Sequence, residues 1–217
     1  AFRYCTSLIE VYNNSNLMIT IGGDDNGYVG YYAKILYNKD GTKKYYNDSE
    51  IFIVETIDGF CFLEENDEYQ LIAYLGVEEI ITLPENYKGS YYTIAMKNST
   101  AKKIIIPDSF EKINDNAFQD CYDIEEIEFS KSLSFGYYAF ANCINLKKVH
   151  VDSIETWCSM IFAGEKSNPL FYANELYING ELVEKVEIPN NIDWLSNYVF
   201  INCTSIKEIY IPNTVTS

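Results

Sequence analysis

The chain has 217 residues, of which 47% are hydrophobic, enough for one large domain or a run of repeats with a continuous core. Its 32 acidic and 16 basic residues give a formal net charge of -16, so its surface should repel nucleic-acid phosphates and has no electrostatic attraction to anionic lipid. No apolar run approaches the ~18 residues that a membrane-spanning helix needs, so we expect neither nucleic-acid binding nor membrane insertion.

A short segment at the start of the chain returns three more times. Residues 1–5 read AFRYC, and the same arrangement appears as AFQDC at 117–121, AFANC at 139–143 and VFINC at 199–203. A Leu or Ile follows each Cys by three residues, and a Val or Ile follows after three more. Residues 1–13 are therefore predicted to be a partial copy of a repeated structural unit.

The next part of the chain, residues 14–79, does not keep the period. Its β-type runs are 17–21, 31–37, 51–54, 60–63 and 69–74, separated by polar or glycine-containing turns. These runs predict β-hairpins built into the stack of repeats and not a separate domain. The DDNG cluster at 24–27 weakly resembles a calcium loop, but it lacks the regular ligand spacing and the terminal Glu, which favours a plain turn.

Residues 80–152 contain the most regular copies. Five hydrophobic or thiol positions recur with a spacing of 22, from Phe118 and Phe140 to Phe129 and Val151. Each copy also contains a short strand, which is often closed by proline because proline cannot donate to a sheet ladder. The segment with the Phe and the Cys is predicted to be a short helical or irregular turn opposite that strand.

The repeat is interrupted over residues 153–183 and resumes over 184–217. The interruption begins with a candidate amphipathic helix around Trp157 and contains Pro169. Asn179-Gly180 lies between two apolar runs and is the strongest hairpin signal in the chain. The resumed part contains two strands that end at Pro189 and Pro212.

The repeat copies at 106–127 and 188–212, with their Ile-Pro, Phe, Cys and Ile positions, resemble the BspA-type leucine-rich repeat. Segment 157–183, with SNPL at 167–170 and LYINGEL at 176–182, resembles an insert common in bacterial members. The resemblance is strong over 1–13 and 80–217 and weaker over 14–79. It implies an α/β but β-dominated, right-handed leucine-rich-repeat solenoid that forms a single domain over 1–217. Parallel strands should line one face and short helical or irregular turns the other, with β-hairpin insertions.

Two positions depart from the family pattern, and they affect local packing without threatening the fold: Ser130 replaces a usual proline and Val199 a usual alanine. The resemblance also implies a secreted or surface-attached, non-enzymatic protein, mostly of host-associated bacteria. Where members have a role, it is adhesion to host matrix proteins or to other cells, so a protein ligand is the expected partner. The alternative is a structural spacer that presents another domain. The family shares no set of binding residues that could be carried over.

Four of the six cysteines occupy one repeat position, namely Cys5, Cys121, Cys143 and Cys203. Stacked copies would point their side chains in parallel, which is poor disulfide geometry and favours buried free thiols. A disulfide between Cys61 and Cys158, in the irregular parts, is an open alternative. With no Cys-x-x-Cys pair and a single histidine, no zinc site is expected.

The single histidine, His150, lies between Val149 and Val151, so alternation along the strand predicts an outward surface residue. No Asp, Ser or Cys pattern accompanies it, and no phosphate-binding glycine loop is present. We therefore expect no catalytic site, no metal and no cofactor.

The outward residues of the predicted strands form the candidate binding surface, because repeat proteins commonly bind partners through a broad sheet face. The inward residues are Ile104, Ile106, Ile127, Phe129, Val149, Val151, Val186, Ile188, Ile209 and Ile211. The candidate ligand-binding residues, on or just before the outward row, are Tyr12, Thr82, Lys103, Ile105, Glu126, Glu128, Lys148, His150, Lys185, Glu187, Glu208 and Tyr210.

Both ends of the chain fall inside the repeat pattern. The sequence begins within a unit at Ala1-Phe2 and stops at 211–217, before the next unit would begin. Neither end carries a polar cap, so we expect a section of a longer solenoid with an apolar edge at each end.

Overall fold

A computed structural model of the chain describes residues 2, 3, 5, 8, 10–33, 35–39, 43–45, 53–65 and 68–216. The strands are β1 (Glu10–Asn13), β2 (Ile35–Asn38), β3 (Lys43–Tyr45), β4 (Ile53–Ile57), β5 (Phe60–Glu65), β6 (Glu68–Tyr74), β7 (Ile80–Thr82), β8 (Thr93–Ser99), β9 (Lys103–Ile106), β10 (Lys112–Ile113), β11 (Glu126–Phe129), β12 (Ser134–Phe135), β13 (Lys148–Val151), β14 (Ile161–Phe162), β15 (Glu175–Ile178), β16 (Glu181–Leu182), β17 (Lys185–Glu187) and β18 (Glu208–Tyr210). The α-helices are α1 (Asp25–Tyr28), α2 (Ile154–Cys158) and α3 (Leu170–Ala173), and Glu165–Ser167 forms a 3-10 helix. None of the described helices is long and apolar enough to cross a membrane.

The main sheet has six strands in the order β16-β15-β13-β11-β9-β7. All neighbours pair in parallel except β15 and β16, which are antiparallel. In β9, β11 and β13 a half-buried residue alternates with a fully buried one, so the apolar residues of each strand enter the core. The chain is therefore a β-dominated solenoid, with one strand of this sheet contributed by each successive coil.

A second parallel ladder runs along another side of the same coils. It consists of β10, β12 and β14, each only two residues long. Phe135 in β12 stacks on Phe162 in β14 with ring centroids 5.1 Å apart. Phe118 and Phe140, which the sequence places 22 residues apart, stack with centroids 5.3 Å apart. One continuous core thus lies between the two ladders.

The predicted turns around the Phe and Cys positions are irregular, and left-handed residues shape them. Asn116 and Tyr138 occupy one such position in successive coils, while Asp120 and Asn142 occupy another. Between them the backbone bonds from coil to coil, as when the Phe118 N–H donates to the Ala139 carbonyl at 2.8 Å. The turns therefore continue the stacking that the strands begin.

The irregular N-terminal part contains the predicted β-hairpins. Strands β2 and β3 are antiparallel, as are β4 with β5 and β5 with β6. Strand β6 then pairs in parallel with β8, and buried side chains of this four-stranded sheet enter the main core. Parts of several predicted features lie outside the described residues: 1, 4, 6, 7 and 9 of the partial repeat, 34 of the run 31–37, 40–41 of the turn at 38–41, 51–52 of the run 51–54, and 66–67 of the turn at 64–68.

The predicted strand at 17–21 is wrong. Among the described residues no strand pairs with this segment, and only Ile19 within it is buried. Met18 is 89% exposed, and the Asn13 side-chain amide donates to the Leu17 carbonyl at 2.8 Å. Apolar composition alone had suggested a strand. The DDNG cluster that follows is a tight turn, labelled α1, with left-handed Asn26 and Gly27.

The interruption at 153–183 is itself part of the solenoid. Helix α2 is capped by the Ser153 hydroxyl, which accepts from the Thr156 N–H at 3.1 Å. Asn179 and Gly180 form the predicted hairpin turn, both with positive φ, between β15 and β16. Because β16 occupies the position beside β15, strands β17 and β18 form a separate two-stranded parallel sheet.

The prediction that Ile209 and Ile211, in and after the last strand, face inward is wrong. Ile209 and Ile211 are 44% and 59% exposed. Their neighbour β17 covers one edge of β18, and in the part of the chain that the structure describes no strand covers the other edge. Among the described residues no further coil packs over these two side chains, so they stay in contact with solvent.

Candidate functional site

The twelve predicted binding residues lie in three different sheets. Seven lie in the six-stranded sheet, namely Thr82, Lys103, Ile105, Glu126, Glu128, Lys148 and His150. Four lie in the separate sheet of β17 and β18, namely Lys185, Glu187, Glu208 and Tyr210. Tyr12 lies in β1, in a third sheet, where its ring stacks on Tyr37 at 4.5 Å. The predicted row is therefore one surface only over its central part.

That central part consists of two rows in register across β9, β11, β13 and β15. The first row is Lys103, Glu126, Lys148 and Glu175. The second row is Ile105, Glu128, His150 and Tyr177. We call these eight residues the outer sheet face. Glu175 and Tyr177 were not predicted as members of these rows. The apolar run before Asn179-Gly180 was predicted as one arm of a hairpin, but the break in the period at residue 153 hid its place beside β13.

Ion pairs cross the outer sheet face. The Lys148 ammonium lies 2.8 Å from the Glu126 carboxylate, and the Lys103 ammonium lies 2.5 Å from that of Glu128. Opposite charges that face each other on neighbouring strands stabilise a sheet modestly, and they hold long side chains in place. The face is consequently ordered and close to neutral, although the chain as a whole is strongly acidic.

His150 points outward as predicted, but it is more covered and has more partners than the sequence indicated. Its side chain is only 16% exposed, with Nε2 at 2.9 Å from the Glu126 carboxylate. Its ring stacks on Tyr177 with centroids 5.1 Å apart. The Tyr177 hydroxyl in turn donates to Glu175 at 2.8 Å. The strand that covers His150 comes from the insertion, which is why the spacing of the repeat did not reveal it.

The electrostatics of this cluster favour the charged forms of Glu126 and Lys148 and the neutral form of Tyr177. Burial raises the pKa of the Glu126 carboxyl, but hydrogen bonds from Lys148 and His150 outweigh burial and lower it below its usual value. The hydrogen bond to Glu126 raises the pKa of Lys148, and the hydrogen bond to Glu175 raises that of Tyr177. Near neutral pH the carboxylate and ammonium are therefore both charged, as a stable ion pair requires.

A second charged ladder flanks the strands. Glu125 lies 2.6 Å from the Lys147 ammonium and 3.4 Å from that of Lys102, one coil away on each side. Its pKa is lowered by the hydrogen bonds from Lys147 and Lys102. Over the described residues, no group of three or more His, Cys, Asp and Glu side chains converges where it could hold a metal ion.

The sequence did not predict that five large apolar side chains near the other ladder are exposed. They are Tyr137, Tyr138, Ile161, Trp194 and Tyr198. Tyr137 and Tyr138 follow β12, and Ile161 begins β14. The segment before Tyr198 lies beside β14, because the Ser196 hydroxyl accepts from the Phe162 N–H at 3.0 Å. In a strand of only two residues, inward and outward side chains alternate too briefly for the sequence to show which of them face outward.

The cysteine predictions are confirmed only for the inner coils. Cys121 and Cys143 are buried free thiols that donate to the carbonyls of Met96 at 2.9 Å and Phe118 at 3.1 Å. Cys5 is instead exposed and Cys203 is half-buried, since their coils are covered on fewer sides. The alternative of a disulfide between Cys61 and Cys158 does not hold, because both are free and buried.

We expect the thiols to react in two classes. Burial raises the pKa of both Cys143 and Cys158 to about 12, so at pH 7.5 neither supplies the thiolate that attacks a maleimide. Cys5 and Cys203 should label within minutes in the native protein, while Cys61, Cys121, Cys143 and Cys158 should label only after unfolding in urea. Peptide mapping by mass spectrometry measures this, and rapid labelling of Cys121 or Cys143 in the folded protein would contradict the stacked arrangement.

Comparison with known proteins identifies the family of the chain but finds no similar curated protein. No curated protein matches it. A leucine-rich cell surface protein from Faecalibacterium prausnitzii has a similar solved structure, with 18% identity and a TM-score of 0.38 over 77% of this chain. The chain spans only 45% of that protein. The structure of a T. pallidum leucine-rich repeat protein matches 71% of this chain and 80% of its own length, with 15% identity and a TM-score of 0.35.

The family itself is shown by the sequence. A model of the BspA-type leucine-rich repeat region matches residues 76–168 and 173–217 in six copies. These two stretches cover well over half of the chain, and they include every strand of the six-stranded sheet and both strands of the separate two-stranded sheet. The chain therefore belongs to the BspA-type leucine-rich repeat family.

Proposed function

We propose that this chain is a non-enzymatic interaction module of an extracellular or cell-surface bacterial protein, and that it binds a protein ligand through the outer sheet face. The observation that carries the proposal is the pair of side-chain rows held in register over β9, β11, β13 and β15. A host matrix protein or another cell surface is the proposed kind of ligand. Membership of a leucine-rich repeat family supports an interaction role in general.

Two features support binding over a purely structural role. First, the His150–Tyr177 stack already orders two side chains of the second row, so a ligand would lose less conformational entropy on binding. Second, Ile105 lies in the second row beside polar neighbours, which is the mixture that a wet, partly apolar interface requires.

The test removes three side chains of the second row together, with the substitutions Ile105→Ala, His150→Ala and Tyr177→Ala. We expect at least about tenfold weaker binding to whichever matrix protein the parent chain binds, since a few central side chains carry most of the energy of an interface. Surface plasmon resonance against immobilised fibronectin, collagen, laminin and fibrinogen measures this. Tyr210, although predicted as a binding residue, is not among the three because it lies in the separate sheet.

A matched triple variant, Tyr91→Ala, Glu111→Ala and Lys112→Ala, removes exposed side chains that lie away from the six-stranded sheet. It should bind like the parent chain. Equal binding by both triple variants would exclude the outer sheet face as the site. If the parent binds none of the four proteins, the second candidate, a spacer that presents another domain, becomes the better reading. The extensive mutual pairing of charges on this face is the observation that favours a spacer.

A further inference from the structure

The parallel sheet is interrupted between β16 and β17. In a regular solenoid β17 would pair with β15, the strand of the preceding coil. Here the Asn179-Gly180 turn folds β16 back into that position, and β17 pairs only with β18 among the described strands. The chain reverses direction at Val183 and Glu184, so β16 and β17 diverge from this point. We call the space between them the sheet-break cleft.

Backbone groups on both walls point into the cleft. The Ile188 N–H donates to Tyr210 at 3.0 Å and the Glu184 carbonyl accepts from Lys207 at 2.7 Å, so these residues direct their groups toward β18. Because successive residues of a strand direct their N–H and C=O to opposite sides, the groups of Lys185 and Glu187 point the other way. Within the described chain they pair with no other strand.

The opposite wall is arranged in the same way. The Val183 N–H donates to the Leu176 carbonyl at 2.8 Å, which directs the backbone groups of Val183 toward β15. Those of Leu182, one residue earlier, therefore point away from β15 and toward the cleft. Such a row of unpaired N–H and C=O groups is a template for an added strand.

The cleft has an apolar floor and an acidic rim. Its volume is about 620 Å³, within the range of ordinary ligand sites. Ile154, Ile178 and Leu182 supply exposed or half-buried apolar surface. The charged lining residues are Glu181, Glu184, Glu187 and Lys185. The Lys185 ammonium lies 2.5 Å from the Glu187 carboxylate, and the Lys207 ammonium lies 2.6 Å from that of Glu184. Among the described residues Glu181 has no such ion pair, so the rim keeps a net negative charge that favours a positively charged partner over a negative one.

We propose that the sheet-break cleft binds an extended peptide segment of a partner protein, in which apolar residues alternate with Lys or Arg. The segment adds a strand along the free edge of β17, and its amides bond with those of Lys185 and Glu187. Its apolar side chains cover the floor around Ile178 and Leu182, and its basic side chains meet Glu181 and Glu187 at the rim. This mode needs a free strand edge for the peptide backbone and a surface for its alternate side chains, which the edge of β17 and the apolar floor supply.

The experiment uses an end-blocked octapeptide of alternating Val and Lys and the whole chain. We expect saturable binding by fluorescence anisotropy, together with slower hydrogen exchange at the amides of Lys185 and Glu187. The amide of Val186 already lies on the β18 side, so its exchange should not change. The same peptide with N-methyl groups on alternate residues should bind at least about tenfold more weakly, because it lacks the donors for an added strand.

Two charge-reversal variants distinguish strand addition at the cleft from a general attraction between the basic peptide and the acidic chain. The variant Glu181→Lys with Glu187→Lys should bind at least about tenfold more weakly, whereas Glu111→Lys with Glu165→Lys, an equal change of charge at exposed sites outside the cleft, should bind like the parent. Equal weakening in both, equal binding of the N-methylated peptide, or the absence of binding would each overturn the proposal. The outcome does not depend on the outer sheet face, whose triple variant should bind the octapeptide normally.

Discussion

Replacing Trp157 with Ala should lower the free energy of unfolding by about 3–5 kcal/mol, the usual loss for a large aromatic side chain in a core. The Trp157 side chain is fully buried in α2, and its ring lies 5.5 Å from that of Phe162. Its indole N–H donates to the Val199 carbonyl at 2.9 Å, across 42 residues of sequence. The residue thus ties the insertion to the following coil. Urea unfolding followed by far-UV circular dichroism measures the loss.

The other tryptophan provides the matched control. Trp194 is 44% exposed, so Trp194→Ala removes a similar side chain from a site where water already covers much of it. We expect a change of less than about 1 kcal/mol, in line with surface substitutions. Comparable losses for the two variants would show that Trp157 does not hold the insertion against the coil as described.

The substitution Gly136→Ala should destabilise the protein by about 1–3 kcal/mol, the usual range for forcing extra atoms into a packed site. A Cβ at this position would lie 2.5 Å from the Asp115 backbone N and 2.8 Å from the Asn114 backbone carbonyl carbon. Both atoms belong to the preceding coil, which cannot retreat without breaking the 2.8 Å bond from the Gly136 N–H to the Ile113 carbonyl. The midpoint of urea unfolding should therefore fall.

Gly164 offers the matched control, since a Cβ there would meet nothing closer than 3.5 Å, from the ring of Tyr137. Neither glycine has a positive φ, so the two substitutions differ in crowding and not in backbone strain. Gly164→Ala should change the unfolding free energy by less than about 0.5 kcal/mol. If Gly136→Ala proved equally harmless, the close approach of successive coils at β10 and β12 would be wrong.

The regular coils were predictable because each repeat meets the same neighbours. The spacing of 22 between Ile127 and Val149 predicts that the two residues pair, and they do. The inward positions of β9, β11 and β13 follow from the same alternation. The outward rows over these three strands were also predictable, since a residue opposite a buried one must face solvent or a partner. What alternation could not show was how deeply His150 would be covered.

The irregular segments were harder to predict because their neighbours come from distant parts of the sequence. Tyr177 joins the outer sheet face only because β15 takes the place that the next regular strand would have taken. Because β16 occupies the free edge of β15, Lys185 and Tyr210 lie outside the main sheet. Leu17 and Met18 have the composition of a strand and yet find no partner. In each case the sequence showed a strand-like segment, but residues distant in the sequence determined whether and where that segment joined a sheet.

The sequence by itself determined that this protein is a stack of BspA-type repeats, because a fixed period places apolar residues at equivalent positions and each unit can bury them only against the next. It also determined which side chains of the regular strands turn outward. Only the tertiary structure decided where that outward surface begins and ends. The insertion supplies one strand that extends it and one that interrupts it, and these are the two features on which the proposed sheet face and the sheet-break cleft depend.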